Sequence, residues 1–517
     1  MRIETFLQRS AAQFSDKTAL VFEDQRFCYR WIEEQANRLA NGLIGVGVGR
    51  GDRVAVCLDN SVEAVLSIFA ILKAGAVFVL LNPAIKPEKF SFMLNDSGAG
   101  TLITRAWKAA ALGTNMLETP ILETLLIAGS AADVQHESKR VVSWNDLMAE
   151  YREFAAPPAM PGIDLDLAGL VYTSGSTGRP KGAMMSHLNM VAAATSVTEY
   201  LENTASDVIL SVLPLSFSYG LYQVLTAFQV GATVVLEKSF AYPHSVLQRM
   251  TEEQATGFAI VPTIAATLLQ LDLSEHPMEH LRYLTNAGAA LPPERVPQLR
   301  KRFPGTKLFL MYGLTECKRV SYLAPDQVDR RPDSVGKAMP NMEAYVVDES
   351  GRQLPPGEVG ELVVRGANVM RGYWNLPDET ERVLRPGPVP GERVLHTGDL
   401  FRTDGEGYLY YVGRRDDMIK SRGEKVSPTE VENVLYRLDG VSLAAVVGVP
   451  DPVLGSAVKA IITLKDGVEL SENDVLRHCA RFLEEFMLPK VLEFRTTMPR
   501  SDSGKIDKRQ LIEREEK

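Results

Sequence analysis

The segment Tyr172-Thr173-Ser174-Gly175-Ser176-Thr177-Gly178-Arg179-Pro180-Lys181-Gly182 gathers the residue types that hold a polyphosphate. Its hydroxyl side chains donate hydrogen bonds, and its glycines let backbone N–H groups come close to an anion. Lys181 adds a positive point charge. The segment follows the apolar run Leu167 to Val171, which places it just beyond a strand end. It is not a GxxxxGK[ST] loop, because neither Gly336-Lys337 nor Gly504-Lys505 has the required glycine five places ahead. Taken alone, a Ser/Gly/Thr loop is more often a solvated turn.

Further motifs follow in order. Leu72-Lys73-Ala74-Gly75-Ala76 leads to Asn82-Pro83, and Tyr312-Gly313-Leu314-Thr315-Glu316 closes an apolar run. Gly360-Glu361-Leu362 and Gly372-Tyr373-Trp374 precede His396-Thr397-Gly398-Asp399. Gly413-Arg414-Arg415-Asp416-Asp417-Met418-Ile419-Lys420-Ser421-Arg422-Gly423 leads into Val426 and Glu430-Val431-Glu432. Pro499-Arg500-Ser501-Asp502-Ser503-Gly504-Lys505 comes last. This ordered set resembles the signatures of the AMP-forming adenylating superfamily of acyl-CoA synthetases, carrier-protein adenylation domains and luciferases. It is most similar to stand-alone acyl-CoA ligases, over nearly the whole chain.

The resemblance implies a reaction in two halves. A carboxylate attacks the α-phosphate of ATP to give acyl-AMP and pyrophosphate, and a thiol then displaces AMP. A carboxylic acid with a pKa near 4 is already ionised at neutral pH, so the first half needs no general base. Its barrier is repulsion between two anions, and catalysis is electrostatic and positional. The implied cofactors are ATP, Mg²⁺ and CoA, or phosphopantetheine on a carrier protein.

By the same resemblance, Thr173, Ser174, Thr177 and Lys181 hold the β- and γ-phosphates, within a loop completed by Gly175, Ser176 and Gly178. Thr315 touches the α-phosphate and Glu316 binds the metal, although a lone glutamate is more often a surface residue. Tyr312, followed by Gly313, stacks on adenine against Gly288-Ala289-Ala290, where a core tyrosine is the competing reading. Asp399 accepts the ribose hydroxyls with help from Arg414; a turn aspartate is the plain alternative. Lys505, which out of context would be solvated, bridges the substrate carboxylate and the α-phosphate as the catalytic group of the first half. Asp416 is the implied hinge of a domain swing, and Lys420, Arg422 and Gly423 line the implied thiol tunnel.

The implied acyl pocket takes Phe217, Ser218, Tyr219 and Gly220, with Thr263, Asn286, Ala287 and Cys317. Between Ser211 and Val230 there is no acid to pair a substrate ammonium, which disfavours an amino-acid substrate. Phe217 and Tyr219 suggest an apolar acyl or aryl group, and could equally be core. Lys318 and Arg319 could meet a second acidic group or a phosphate, but the surface reading is the commoner one. Cys317 reads as pocket wall rather than nucleophile, with no histidine nearby in sequence. No carrier-protein segment follows Lys505, so the thiol is expected on a separate molecule: CoA, or a separate acyl carrier protein loaded with an amino, β-amino or hydroxy acid.

These residues need a scaffold, and the wider pattern supplies one. Short apolar runs such as Asp52 to Leu58, Thr233 to Leu236, Gly257 to Val261 and Lys307 to Tyr312 alternate with amphipathic stretches, predicting an α/β fold with layered, mostly parallel sheets. From about Gly336, alternating strands such as Glu361 to Arg365 and Tyr408 to Val412 predict a β-rich subdomain. Ser427-Pro428-Thr429-Glu430 has the form of a capping box opening a helix to about Leu438. We divide the chain into an N-terminal adenylate-forming domain, 1–415, and a small mobile α+β domain, 416–517, carrying the Lys505 loop. The glycine-dense stretch Gly45 to Gly51 precedes a strand and never spells GxGxxG, so it reads as a connector.

The length, 517 residues, with 45% hydrophobic and 23% charged residues, fits a multidomain globular protein. A net charge of -9 argues against nucleic acid as main partner. Ala64 to Leu81 is almost long enough to span a membrane, but its texture changes at Lys73-Ala74-Gly75-Ala76 from buried helix to β-branched strand. The start of the chain does not read as a signal peptide, and four cysteines without metal or disulfide spacing fit a reducing cytoplasm.

Overall fold

The computed structural model describes every residue except 118–119, 130, 132–133, 135, 137, 160–161, 174–178, 422–423, 452–454, 502–503 and 513–517. The Ala64 to Leu81 stretch is a helix, a turn and a strand. Ser61 caps the helix Val62–Lys73 by accepting from Ala64 N, Gly75 turns the chain at φ 71°, and Val77–Leu80 is buried throughout. Among the described residues no helix is long and apolar enough to cross a membrane.

That strand lies in a seven-stranded sheet. Its order is Arg140–Ser143, Thr124–Ala128, Thr101–Arg105, Arg53–Cys57, Val77–Leu80, Leu167–Thr173 and Lys181–Ser186. All neighbours are parallel except the last pair, an antiparallel hairpin. The phosphate-loop segment therefore joins two strands of one hairpin. Gly45 to Gly51 is a connector: it follows the helix Tyr29–Gly45, and Gly49 N donates to Asp52 just ahead of Arg53–Cys57.

Among the described residues a second sheet of 14 strands carries the rest of the large domain. Its parallel half orders Thr18–Phe22, Thr233–Leu236, Val208–Ser211, Gly257–Ile260, Tyr283–Asn286 and Lys307–Leu314. Its antiparallel half continues through Cys317–Leu323, Ser334–Ala338, Leu409–Arg414, Arg393–Thr403, Gly360–Gly366 and Met342–Val347. The β-rich region is thus continuous with the α/β region, because Ser334–Ala338 pairs with a strand of each. Between the two sheets lies a shared core. Phe69 stacks on Phe228 at 5.4 Å, and both are fully buried, each contributing on the order of 1.5–3 kcal/mol.

The small domain has a sheet of its own: Glu424–Val426, Ile419–Ser421, Gly455–Leu464 and Val441–Asp451, with Val491–Phe494 on Gly455–Leu464. Helices Pro428–Tyr436 and Glu472–Cys479 cover one face. Ser427 accepts from Glu430 N, which is half of the expected capping box. Against the other face the large domain contributes one buried residue, Ala266, beside Leu443, Ala445 and Met498.

The strand Lys181–Ser186 passes directly into the helix His187–Tyr200, closed by a reciprocal Ser186–Asn189 capping box. His187 is buried and its Nδ1 accepts from Ile3 N at 3.2 Å, pinning the N-terminal segment under this helix. Burial, with Arg2 nearby, pushes His187 down to about 4. The unfolded imidazole titrates near 6.5, so below that pH the unfolded chain takes up a proton that the folded chain refuses. Denaturant midpoints should therefore fall on acidification from pH about 6.5 towards about 4, and His187→Asn should flatten that fall. Parallel curves for the two proteins would contradict the assignment.

Candidate active site

The Thr-Glu pair sits at the two-residue turn of a hairpin: Leu314 on Lys307–Leu314 faces Cys317 on Cys317–Leu323. Two contacts hold the turn from outside the hairpin. Met370 N donates to Glu316 O at 2.8 Å, and the Tyr373 hydroxyl donates to Glu316 Oε1 at 2.6 Å. Burial, with Glu316 beside it, keeps the Tyr373 hydroxyl protonated well above its ordinary range.

Tyr312 precedes the turn on the same strand. Its hydroxyl donates to Asp399 Oδ2 at 2.6 Å, and its ring meets the Phe401 ring edge-on at 4.8 Å. Asp399 is buried, and Arg414 lies opposite it in register across two paired strands. Arg414 Nε is 3.1 Å from Asp399 Oδ1, yet Oδ1 makes no well-formed hydrogen bond. Burial pushes this carboxyl above its ordinary value, with Arg414 and the Tyr312 bond opposing. A buried acceptor with spare capacity is what a ribose hydroxyl would satisfy.

On the phosphate side, Thr173 faces Lys181 across the hairpin. Ser174, Gly175, Ser176, Thr177 and Gly178 lie outside the described residues. The base of the hairpin is clamped. Tyr172 donates to Asp96 at 2.6 Å, while Met184 N to Gly372 O and Trp374 N to Gly182 O bind the segment 372–374 along the return strand. Lys181 is already paired, its Nζ donating to Glu379 Oε2 at 2.7 Å and lying 5.3 Å from the Tyr373 ring centroid. Lys181 holds the Glu379 carboxyl below its ordinary range.

Lys505 arrives from the small domain. Thr263 Oγ1 donates to Gly504 O at 3.2 Å, Gly504 has φ 79°, and Lys505 Nζ lies 5.7 Å from the Phe217 ring centroid. A Cβ at Gly288, whose φ is 89°, would sit 3.3 Å from Lys505 Cε, so this glycine makes room for the lysine. Burial pushes the Lys505 ammonium down, with Asp399 and Glu316 opposing and Arg414 adding to the fall. Next to Gly288, Ala289 and Ala290 are exposed.

Phe217, Ser218, Tyr219, Ala287, Gly288, Gly313, Leu314, Thr315, Lys318, Arg319 and Lys505 line one cavity of about 40 Å³. Four residues assigned to the acyl pocket by sequence do other work. Gly220 sits where a Cβ would come within 2.3 Å of Pro214 O, Thr263 holds Gly504, and Asn286 Nδ2 donates to Ala289 O. Cys317 accepts from Asn368 Nδ2 at 3.4 Å, and burial pushes its thiol well up, which excludes a ready thiolate. Lys318 and Arg319 depart from the surface reading: they are 6% and 2% exposed. The reason is the strand Cys317–Leu323, an interior strand buried at both residues with neighbours on each side. Asp416 is exposed in the turn after Leu409–Arg414, and Lys420 lies in Ile419–Ser421. Arg422 and Gly423 lie outside the described residues.

Residues 7–374 match the family model described as AMP-binding enzyme, and residues 430–505 match the AMP-binding enzyme C-terminal domain. The chain belongs to the AMP-binding enzyme family. It is 31% identical to a long-chain-fatty-acid–CoA ligase of Bacillus subtilis, over 99% of this chain and 94% of that protein. It is 34% identical to a feruloyl-CoA synthase of an Amycolatopsis species, over 98% and 97%. The crystal structure of the anthranilate CoA ligase AuaEII with anthranoyl-AMP superimposes with a TM-score of 0.89 at 29% identity, covering 99% of this chain and 96% of that one. The protein is an AMP-forming acid–CoA ligase: it takes a carboxylic acid, ATP and CoA, and works through an acyl-adenylate.

Tyr373 and Glu379 were not singled out as site residues from sequence. Gly-Tyr-Trp gave the first as a motif without a role, and the second lies in a helix, Pro377–Val383, whose acids read as ordinary first-turn residues. Tyr373→Phe removes the bond that orients Glu316, a charge-assisted one worth about 1.5–3 kcal/mol. The expected result is a drop of roughly tenfold or more in acid-dependent pyrophosphate exchange. Exchange at the wild-type rate would contradict the positioning role.

Proposed function

We propose that acid activation takes place between the Thr315-Glu316 turn and the Lys505 loop, in the cavity lined by Phe217, Ser218, Tyr219 and Ala287. The observation that carries this reading is the delivery of Lys505 across the domain boundary, secured by the Thr263–Gly504 bond, to the space beside Gly288 and Phe217. There its ammonium bridges the substrate carboxylate and the α-phosphate, countering the repulsion between two anions as charge builds up in the transition state. Thr315 donates to the same phosphate. Tyr312 flanks adenine, Asp399 accepts from the ribose with Arg414 beside it, and the 173–181 hairpin with Lys181 holds the outer phosphates.

Mg²⁺ fits Glu316. Among the described residues no group of three or more His, Cys, Asp or Glu could hold a metal alone. A cation that keeps waters and shares phosphate oxygens with one carboxylate needs no such cluster. Tyr373 occupies only Oε1 of Glu316. Bound there, Mg²⁺ supplies neutralisation of phosphate charge.

After adenylation, Asp416 is the hinge and chain division about which residues 416–517 rotate, bringing Lys420, Arg422 and Gly423 towards the thiol. Among the described residues the contacts that oppose that rotation include Arg295 with Ser442 O and the Tyr436 ring, Arg437 with Glu294, Gln270 with Ser442, Thr263 with Gly504, and the Ala266 contact. The full-length relatives named for CoA favour CoA over a carrier protein. Free cysteines at 28, 57, 317 and 479 accord with a cytoplasmic setting.

Lys505→Ala should lower acid-dependent pyrophosphate exchange by on the order of a hundredfold or more, while thioester formation from supplied acyl-AMP falls far less. Exchange within tenfold of wild type would remove Lys505 from the first half-reaction. Asp416→Pro, which fixes φ, should form acyl-AMP yet lose CoA transfer by about tenfold or more; equal loss in both halves would argue against the hinge.

A further inference from the structure

The acyl cavity carries more positive charge than its first half-reaction uses. Lys318 is buried and lines the cavity, and its Nζ lies 4.9 Å from the Tyr219 ring centroid and 5.4 Å from that of Tyr222. Arg319 lines it too, with its guanidinium carbon 4.9 Å from the same Tyr219 ring, Nη1 on Met311 Sδ, and Nε without a partner. Among the described residues no carboxylate pairs with either. The other charged side chains lining the cavity, Arg319 and Lys505, are both positive. Buried cations are ordinarily paired, because an unpaired one forgoes its hydration for nothing.

We propose that the substrate acid carries a second carboxylate, which is received by Lys318 with Arg319 behind it. The inference rests on reading this cavity as the acyl site. The geometry separates two jobs. Lys505 stands over Phe217 and Lys318 over Tyr219, two rings 6.4 Å apart and nearly perpendicular. Tyr219 is fixed, its hydroxyl bonded to Thr285. One carboxylate therefore meets Lys505 at the nucleotide while another group of the same molecule meets Lys318 along the ring wall. The cations also exclude a substrate ammonium, in keeping with the absence of an acid between Ser211 and Val230. Lys318 is thus a specificity-determining residue.

The test compares succinate, glutarate, adipate and phthalate, each beside its own monomethyl ester, in ATP–pyrophosphate exchange with wild type, Lys318→Met and Lys318→Arg. The ester keeps the reacting carboxylate and loses only the second charge. For at least one pair, wild type should prefer the diacid by about tenfold or more in kcat/KM, the scale of a charged hydrogen bond. Lys318→Met should bring that ratio to within about threefold, and Lys318→Arg should preserve it. Equal use of diacid and ester by wild type, or a preference that survives Lys318→Met, overturns the proposal. Exchange with the esters alone overturns it while leaving the acyl-site reading intact. A second readout needs no turnover: the same diacids should raise the Tm of wild type with AMP present, and not that of Lys318→Met. Lack of exchange and of any Tm shift with every diacid also overturns it.

Discussion

The turn at Thr315-Glu316 is the point to which the rest of the site is referred. A hairpin is rigid only if its strands are held, and here Lys307–Leu314 is the last parallel strand of a large sheet while Cys317–Leu323 begins its antiparallel half. The turn therefore projects from the place where the sheet changes sense. Everything attached to it inherits that fixity: Tyr312 towards the Asp399 side, Glu316 towards Tyr373, Lys318 and Arg319 towards Tyr219. Groups meant to stabilise developing charge are effective when they need not reorganise, and a hairpin rooted in a buried sheet provides that.

The contrasting element is the small domain, which on the reading proposed above brings Lys505 to the first half-reaction on a loop. It has its own sheet and core, and its contacts with the large domain include a few polar pairs, the buried Arg295 over the Tyr436 ring, and one alanine. Interfaces of that type are made and broken readily. Precision at the lysine comes from local bonds, Thr263 to Gly504 and the left-handed turn at Gly504, and owes little to extensive docking.

Much of this was legible in the sequence because it is local. The helix–turn–strand of residues 62–80 follows from a change in apolar texture at a glycine, and the helix after Ser427 follows from its cap and proline. The motifs carried the family, and through it the likeness of the site. What stayed hidden were partnerships between segments far apart in the chain: Tyr373 with Glu316, Glu379 with Lys181, Thr263 with Gly504. No periodicity encodes them. The burial of Lys318 and Arg319 was misjudged for a related reason. Two adjacent cations after a turn look solvent-facing unless the strand that bears them is known to have neighbours on both sides. The β-rich subdomain was legible as well, although nothing local in Ser334–Ala338 shows that it pairs in two directions.

The contact between Lys181 and Glu379 has a consequence for how the empty protein meets its surroundings. On the reading proposed above Lys181 receives the outer phosphates, and it is held by an anion of the protein itself, so an incoming phosphate displaces that anion. A polyphosphate that engages the hairpin backbone and Lys181 together brings several contacts at once. On that reading the internal carboxylate sets an admission threshold at Lys181, one that a polyphosphate crosses more easily than a simple anion.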